Sequence, residues 1–360
     1  LQRNGELRSP VGKCRFISVS LEPVSPDALC RRLVAEESQT PQITMKPRRH
    51  SLGLLAATFL LLGGGGCRPA DWKPAPVQNQ PLRVVCTTGM VGDMIASLAG
   101  RHAVVENLMG SGVDPHLYKP TPGDVRKLTS ADAVFYSGLH LEGRLAELLE
   151  SLARWKPSYA VTEGVQRDEP ERLLAMPGAE RVFDPHVWFD VALWARCAAD
   201  ASQRLIELDP AHAADYQRNA EDYVRRLKAL HEEVGRQLAT IPAERRVLVT
   251  AHDAFQYFGR AYGIEVRGLQ GISTSAEADL GGVNQLIDLL VARQIKAVFV
   301  ESSVPAKNIR ALVEGTGARG HAIRIGGELF SDALGSPGTP EGTYVGMVEH
   351  NVRTIVEALR

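Results

Sequence analysis

Residues 211–239 contain no proline, are bracketed by Pro210 and Pro242, and carry apolar side chains at intervals of three and four: Tyr216, Ala220, Tyr223, Leu227, Leu230, Val234 and Leu238. That spacing predicts one long amphipathic helix with a single packing stripe and an otherwise solvated surface. At 1.5 Å per residue the helix would run about 43 Å, more than one compact lobe requires. On both sides of it the pattern changes. Short β-rich runs occur at 83–88, 103–108, 132–136 and 158–161, then again at 246–250, 264–269, 296–301 and 321–325. Helical periodicity lies between them at 89–98, 123–129, 253–262, 279–293 and 305–315, with further helices at 190–207 and 343–359. Alternation of this kind argues for parallel strands with helices on their faces. The expected fold class is therefore α/β: two lobes, each with a small parallel sheet flanked by helices, joined by one long rigid α-helix. The N-terminal lobe is expected over 82–207, the linker helix over 208–241 and the C-terminal lobe over 242–360.

The beginning of the chain reads differently. A basic stretch, Lys46-Pro-Arg-Arg-His50, precedes an apolar run from Ser51 to Leu62, four glycines and Cys67. The apolar run is too short to span a bilayer, which takes ~20 residues. Its layout is that of a secretory signal, and small residues ending on a cysteine suggest a lipoprotein signal over 45–66, with Cys67 acylated after cleavage. Gly64 stands where such signals usually carry leucine, and a plain secretory peptide is the other reading. Residues 1–44 contain no methionine before Met45 and read as over-extended translation. Residues 67–81 are Pro-rich and polar, as in an extended tether.

Composition removes several function classes. Lys plus Arg is 41 against 42 Asp plus Glu, without a basic stripe, which argues against nucleic-acid binding. Five cysteines are too few for a disulfide scaffold. Two of them, Cys14 and Cys30, precede the signal. Cys86 and Cys197 remain, either paired in an oxidising compartment or as buried thiols.

The tripeptide Asp-Pro-His occurs twice, at Asp114-Pro115-His116 and at Asp184-Pro185-His186. Proline stiffens such a loop by pushing the residue before it to an extended conformation. A histidine on a rigid loop loses little entropy on binding. His252 follows the strand expected at 246–250, and Asp332 lies beyond the strand expected at 321–325. Open α/β sheets place their ligand crevices at the carboxyl ends of strands, and a cleft between lobes could bring all four residues together. Three imidazoles and a carboxylate suit a divalent transition metal. Spacing alone leaves each histidine open as a surface or hydrogen-bonded core residue; the repeated tripeptide and the shared strand-end position favour a ligand set. Asp114, Asp184 and Glu301 are candidates to orient the imidazoles through their other nitrogens. His140 reads as structural rather than as a ligand, and Trp188, Phe189 and Phe255 as packing around the site.

Six stretches carry a resemblance to a known family: Gly112-Val-Asp-Pro-His-Leu-Tyr118, Ala133-Val-Phe-Tyr-Ser-Gly-Leu-His-Leu-Glu-Gly143, Asp184-Pro-His-Val-Trp-Phe-Asp190, Ala251-His-Asp-Ala-Phe-Gln-Tyr-Phe258, Val300-Glu-Ser-Ser303 and Gly326-Gly-Glu-Leu-Phe-Ser-Asp-Ala-Leu334. In order over 82–360, they resemble the metal-binding substrate-binding lipoproteins of zinc, manganese and iron ABC transporters, the cluster A-I group that includes streptococcal-type adhesins. The resemblance implies metal ligands at His116, His186, His252 and Asp332, and two α/β lobes joined by a long helix. Manganese-specialised relatives usually carry Glu at the third position, where this chain has His252. Zinc-specialised relatives often carry a His- and acid-rich loop between the first two ligands, where this chain has only His140. These departures point in opposite directions.

The function expected is the extracytoplasmic solute-binding component of an ABC transporter. It would capture Zn2+ or Mn2+, with Fe2+ as a third option, and deliver it to the permease membrane subunits and their cytoplasmic ATPase. A lipid anchor at Cys67, a monomer and no catalytic residues complete the expectation. A metal-dependent hydrolase and a metal-stabilised adhesin are the rival classes. No His-Glu-x-x-His pair is present to support the first.

Overall fold

The computed structural model describes residues 80–360, apart from 177 and 276–279. The expected signal, the acylated Cys67 and nearly all of the tether lie outside the described residues. The first half opens with β1 (Leu82–Cys86), α1 (Gly89–Ala99), β2 (Ala103–Asn107), α2 (Pro122–Ser130), β3 (Ala133–Tyr136), α3 (Ala146–Ala153) and β4 (Ser158–Ala160). Its four strands form one parallel sheet in the order β2-β1-β3-β4. A short helix α4 (Glu163–Asp168), an antiparallel hairpin of β5 (Ala175–Met176) and β6 (Ala179–Phe183), and α5 (Val191–Leu208) lead to the long helix α6 (Ala213–Leu238). The second half contains β7 (Val247–His252), α7 (Gln256–Tyr262), β8 (Glu265–Gln270), α8 (Leu280–Ala292), β9 (Ala297–Glu301), α9 (Lys307–Ala318), β10 (Arg324–Leu329) and α10 (Tyr344–Leu359). There β7 pairs with β8 and β9 with β10, both in parallel, and β7 lies alongside β9.

The long helix buries the stripe its periodicity predicts: Tyr216, Tyr223, Leu227, Leu230, Val234 and Leu238, with Ala220 half-buried. Each such side chain contributes roughly 1.5–3 kcal/mol of transfer free energy before conformational entropy is counted. At 26 residues α6 is about 39 Å long. It is not a bare strut, because α1, α5 and α10 all pack along it.

Alternation along the strands divides the core into layers. Val84, Cys86, Ala133 and Phe135 of the first sheet face inward, as do Leu248, Ala297 and Phe299 of the second half, and all join one hydrophobic cluster with the helices α1, α5, α6 and α10. Val85 and Val134 face the other way into a small cluster under α2 and α3. Val247, Val249, Ala251 and Val298 do the same under α8 and α9. Cys86 and Cys197 sit in the central cluster as free, buried thiols, whose ionisation burial suppresses. Among the described residues no helix is long and apolar enough to cross a membrane.

Two details depart from the expected pattern. The strand expected at 321–325 is shifted to Arg324–Leu329, since the backbone continues as a strand through Gly326 and Gly327 with an irregular register. A side chain at Gly326 would meet the ring of Phe299 at 2.8 Å, so glycine there permits close packing rather than ending the strand. The helices α3 and α4 and the hairpin β5–β6 carry too short a periodicity to be read beforehand.

Candidate metal centre

His116, His186, His252 and Asp332 come together and are all buried. Both Asp-Pro-His tripeptides form the same local turn. Asp114 Oδ1 accepts the His116 backbone N–H at 2.8 Å, and Asp184 Oδ1 accepts that of His186 at 2.9 Å. An aspartate that bonds the backbone two residues on makes such a turn, and the intervening proline has no N–H to compete. His252 is the last residue of β7, a strand buried along its whole length. Asp332 follows Phe330, whose backbone N–H and C=O are both held by the Asn351 side chain, at 2.9 and 2.7 Å.

The donor atoms all lie within 4.8 Å of one another. His116 Nε2 is 3.3 Å from His186 Nε2. Asp332 Oδ1 is 3.4 Å from His186 Nε2, and Oδ2 is 3.2 Å from His252 Nε2 and 3.7 Å from His116 Nε2. A tetrahedral ion with bonds of ~2.0–2.1 Å has edges of about 3.3–3.4 Å, so the spacing suits one ion within the group. Among the described residues neither Asp332 oxygen has a hydrogen-bond partner, nor does His252 Nε2. Buried polar atoms without partners are costly, and here they all point at one space.

Carboxylates stand behind two of the imidazoles. The Nδ1–H of His186 donates to Asp184 Oδ1 at 2.7 Å. His252 Nδ1 lies 2.5 Å from Glu301 Oε2, while Glu301 Oε1 accepts the His252 backbone N–H at 2.8 Å. The Asp184 contact holds the proton on His186 Nδ1, so that once this ring is neutral its Nε2 presents a lone pair to the shared space. Asp114 works differently from the other two acids, holding the backbone of His116 and not its ring.

The electrostatics divide the histidines. Burial, reinforced by the two neighbouring imidazoles and only partly opposed by Asp332, pushes His116 down to about 4. Burial also opposes charge on His186, but Asp184 and Asp332 outweigh it and lift the ring to about 9. Glu301 and Asp332 likewise overcome burial at His252 and raise it well above its ordinary value. Burial of Asp332 is overcome in turn by His252 and His186, which hold its carboxyl well below the usual range. The cluster is thus a buried array of opposite charges, ready to exchange protons for a cation.

Aromatic packing closes the site. The Trp188 ring lies 5.2 Å from that of His186, and Phe189 stacks on Phe255 at 4.2 Å. His140 is exposed, has a left-handed φ of +64, and lines a separate cavity of about 400 Å³ beside Glu150 and Glu163. His102, His212, His231, His321 and His350 bond to Asp215, Asp209, Tyr262, the Ile295 carbonyl and the Glu328 carbonyl. Three supporting residues escaped sequence reasoning: Tyr257, Tyr344 and Asn351. Tyr257 falls inside a quoted family-like stretch; the other two lie on a helix with no local signal of such a role.

Comparison with known proteins agrees with this architecture. The family described as "ZnuA: Zinc-uptake complex component A periplasmic" matches residues 84–358. The manganese-binding lipoprotein MntA of Bacillus subtilis (strain 168) is 47% identical over 307 residues, covering 85% of this chain and 97% of the relative. The solved structure of the periplasmic zinc-binding protein TroA from Treponema pallidum superposes with a TM-score of 0.75 at 46% identity, covering 78% of this chain and 99% of that one. Fe(III)-bound YtgA from Chlamydia trachomatis gives a TM-score of 0.71 at 26% identity, covering 77% and 98%. On the extent of the family match and the identity to these relatives, the chain belongs to the family of metal-binding substrate-binding proteins to which the periplasmic zinc-uptake component A gives its name.

Proposed function

We propose that this protein is the extracytoplasmic solute-binding component of an ABC transporter, capturing one divalent transition metal and delivering it to the permease membrane subunits served by a cytoplasmic ATPase. The ion is cargo. Its ligands are His116, His186, His252 and Asp332, held between a lobe over 82–207 and a lobe over 242–360. The observation that carries the reading is the buried convergence of three Nε2 atoms on a carboxylate whose two oxygens have no hydrogen-bond partner among the described residues. Neutral imidazoles supply the bonds, and Asp332 offsets part of the charge that burial would otherwise disfavour. The relatives' names mention manganese, zinc and iron, so the cargo is zinc or manganese, with iron as a third option.

Four protein donors leave no position for the water that a catalytic zinc retains, which favours transport over hydrolysis. Glu301, the carboxylate nearest His252, is already committed to that residue's backbone and ring side. The same reading places the protein outside the cytoplasmic membrane as a monomer, exported by the signal over 45–66 and anchored through an acylated Cys67. Elemental analysis of protein purified from its own host tests the cargo; one equivalent of a transition metal is expected, and its loss in His252→Ala. A protein that takes up no transition metal, or a His252→Ala variant that keeps its full equivalent, would falsify the assignment. Mass spectrometry of the N-terminal peptide tests the acylated cysteine.

A further inference from the structure

The four side chains of the centre are not equally anchored. The His186 loop is fastened to the C-terminal half three times: Tyr257 Oη donates to the Asp184 carbonyl at 2.9 Å, Trp188 Nε1 to the Ser331 carbonyl at 3.1 Å, and Tyr344 Oη to the Trp188 carbonyl at 2.7 Å. His252 ends a buried strand, and Asp332 follows the segment clamped by Asn351. These three residues are therefore tied to the same half, although His186 precedes the long helix.

His116 differs on each count. It is the most exposed of the four, at 7%, and among the described residues no carboxylate partners its Nδ1. Outside the cluster, its loop at 110–116 makes one hydrogen bond to the C-terminal half among the described residues, from Thr274 Oγ1 to Asp114 Oδ2 at 2.6 Å. Gly112, at φ +72, lies so near the C-terminal half that a Cβ would stand 3.3 Å from the Ser302 carbonyl oxygen, a contact without a bond. Asp114 spends its other oxygen on the His116 backbone N–H. A continuous link thus runs from the Thr274 hydroxyl through Asp114 to the ligand.

We propose that Thr274 is a positioning residue that latches the His116 loop shut, so that the metal leaves by displacement of this one loop while His186, His252 and Asp332 stay together. The proposal rests on the reading of these four residues as metal ligands. An ion held by three of its four ligands has an open position that a competing ligand can enter, and the latch then sets how often that position opens. Its effect falls on the rate of release.

The test uses the zinc-loaded protein mixed with excess chelator and followed by stopped flow, for wild type, Thr274→Val and Thr274→Ser. Valine keeps the shape and removes the donor to a charged acceptor, so release roughly tenfold faster is expected. Serine restores the hydroxyl and with it the wild-type rate. Equal rates in wild type and Thr274→Val overturn the latch, as does Thr274→Ser releasing as fast as the valine variant. Melting of the metal-free variants separates a loosened fold: unchanged melting with faster release supports the latch, and lowered melting without rescue by serine overturns it. Zinc titration of His252→Ala tests the underlying reading by itself; full uptake there overturns the ligand set, whatever the Thr274 variants do.

Discussion

Replacing Asp184 by asparagine removes one buried negative charge while keeping the side chain's shape. In the metal-free protein that carboxylate, together with Asp332, overcomes burial and lifts His186 to about 9. An unfolded histidine titrates near 6.5. A group raised in this way stabilises the fold fully below pH 6.5, and its contribution is lost as pH rises through 9. The gap between the two values is worth about 3 kcal/mol, or about 6–12 °C in melting temperature for a chain of this size. His116, neutral in the folded protein throughout that window because it sits at about 4, adds only the small tail left by its unfolded ring near pH 6.5. His252 keeps its own share through Glu301 and Asp332. Metal-free Asp184→Asn is therefore expected to melt lower than wild type at pH 6.5 and to lose less stability between pH 6.5 and 9. With metal present the same change weakens the orientation of the His186 ring, and a loss of about 10–100-fold in zinc affinity is expected. Melting in the presence of a chelator, paired with competition titrations, measures both quantities. If the variant's melting profile overlays that of wild type across this pH range, the electrostatic account of His186 is wrong; if zinc affinity is unchanged, Asp184 does not orient the ring.

Zinc affinity of the intact protein should rise steadily from pH 6.5 to 9, opposite in direction to metal-free stability, because binding displaces protons from His186 and His252; a flat profile by competition titration contradicts the exchange. Asn351→Leu strips the partners from both backbone groups of Phe330, and a stability loss of about 2–4 kcal/mol in denaturant melts is expected together with weaker zinc uptake, since Asp332 lies two residues on. Gly164→Ala would push the Asp200 carboxylate aside and disturb its ion pair with Arg196, so it should lower the melting temperature slightly without altering zinc stoichiometry. His140→Ala should leave zinc uptake unchanged, as measured by titration; a lost equivalent would put that residue in the coordination shell.

The sequence was most legible where a short-range rule governs structure. The stripe from Tyr216 to Leu238 follows from helical periodicity alone, and the burial of the side chains bears it out. The repeated Asp-Pro-His was visible as a motif, and its turn is explained by chemistry spanning only three residues. Asp184 and Glu301 were legible as candidate partners of the imidazoles because each lies beside a strand end or one of the clustered histidines. Asp114 was assigned to an imidazole and instead holds a backbone N–H, a distinction that depends on which way the loop returns. Tyr257, Tyr344 and Asn351 could not be read, because each acts on a residue far away in the chain. The shifted strand at Arg324–Leu329 shows a similar limit: two glycines look like a stop until the ring of Phe299 is placed against them.

The central cluster of apolar side chains includes Leu82 of β1 and Leu359 of α10, without a seam at the long helix. Neither half can therefore complete its own interior. Expressed alone, each would present to solvent a broad greasy surface meant for the other and should aggregate. Heating the intact protein should give a single cooperative transition, and grafting one half onto a distant relative would demand re-fitting every inward-facing residue along α1, α5, α6 and α10.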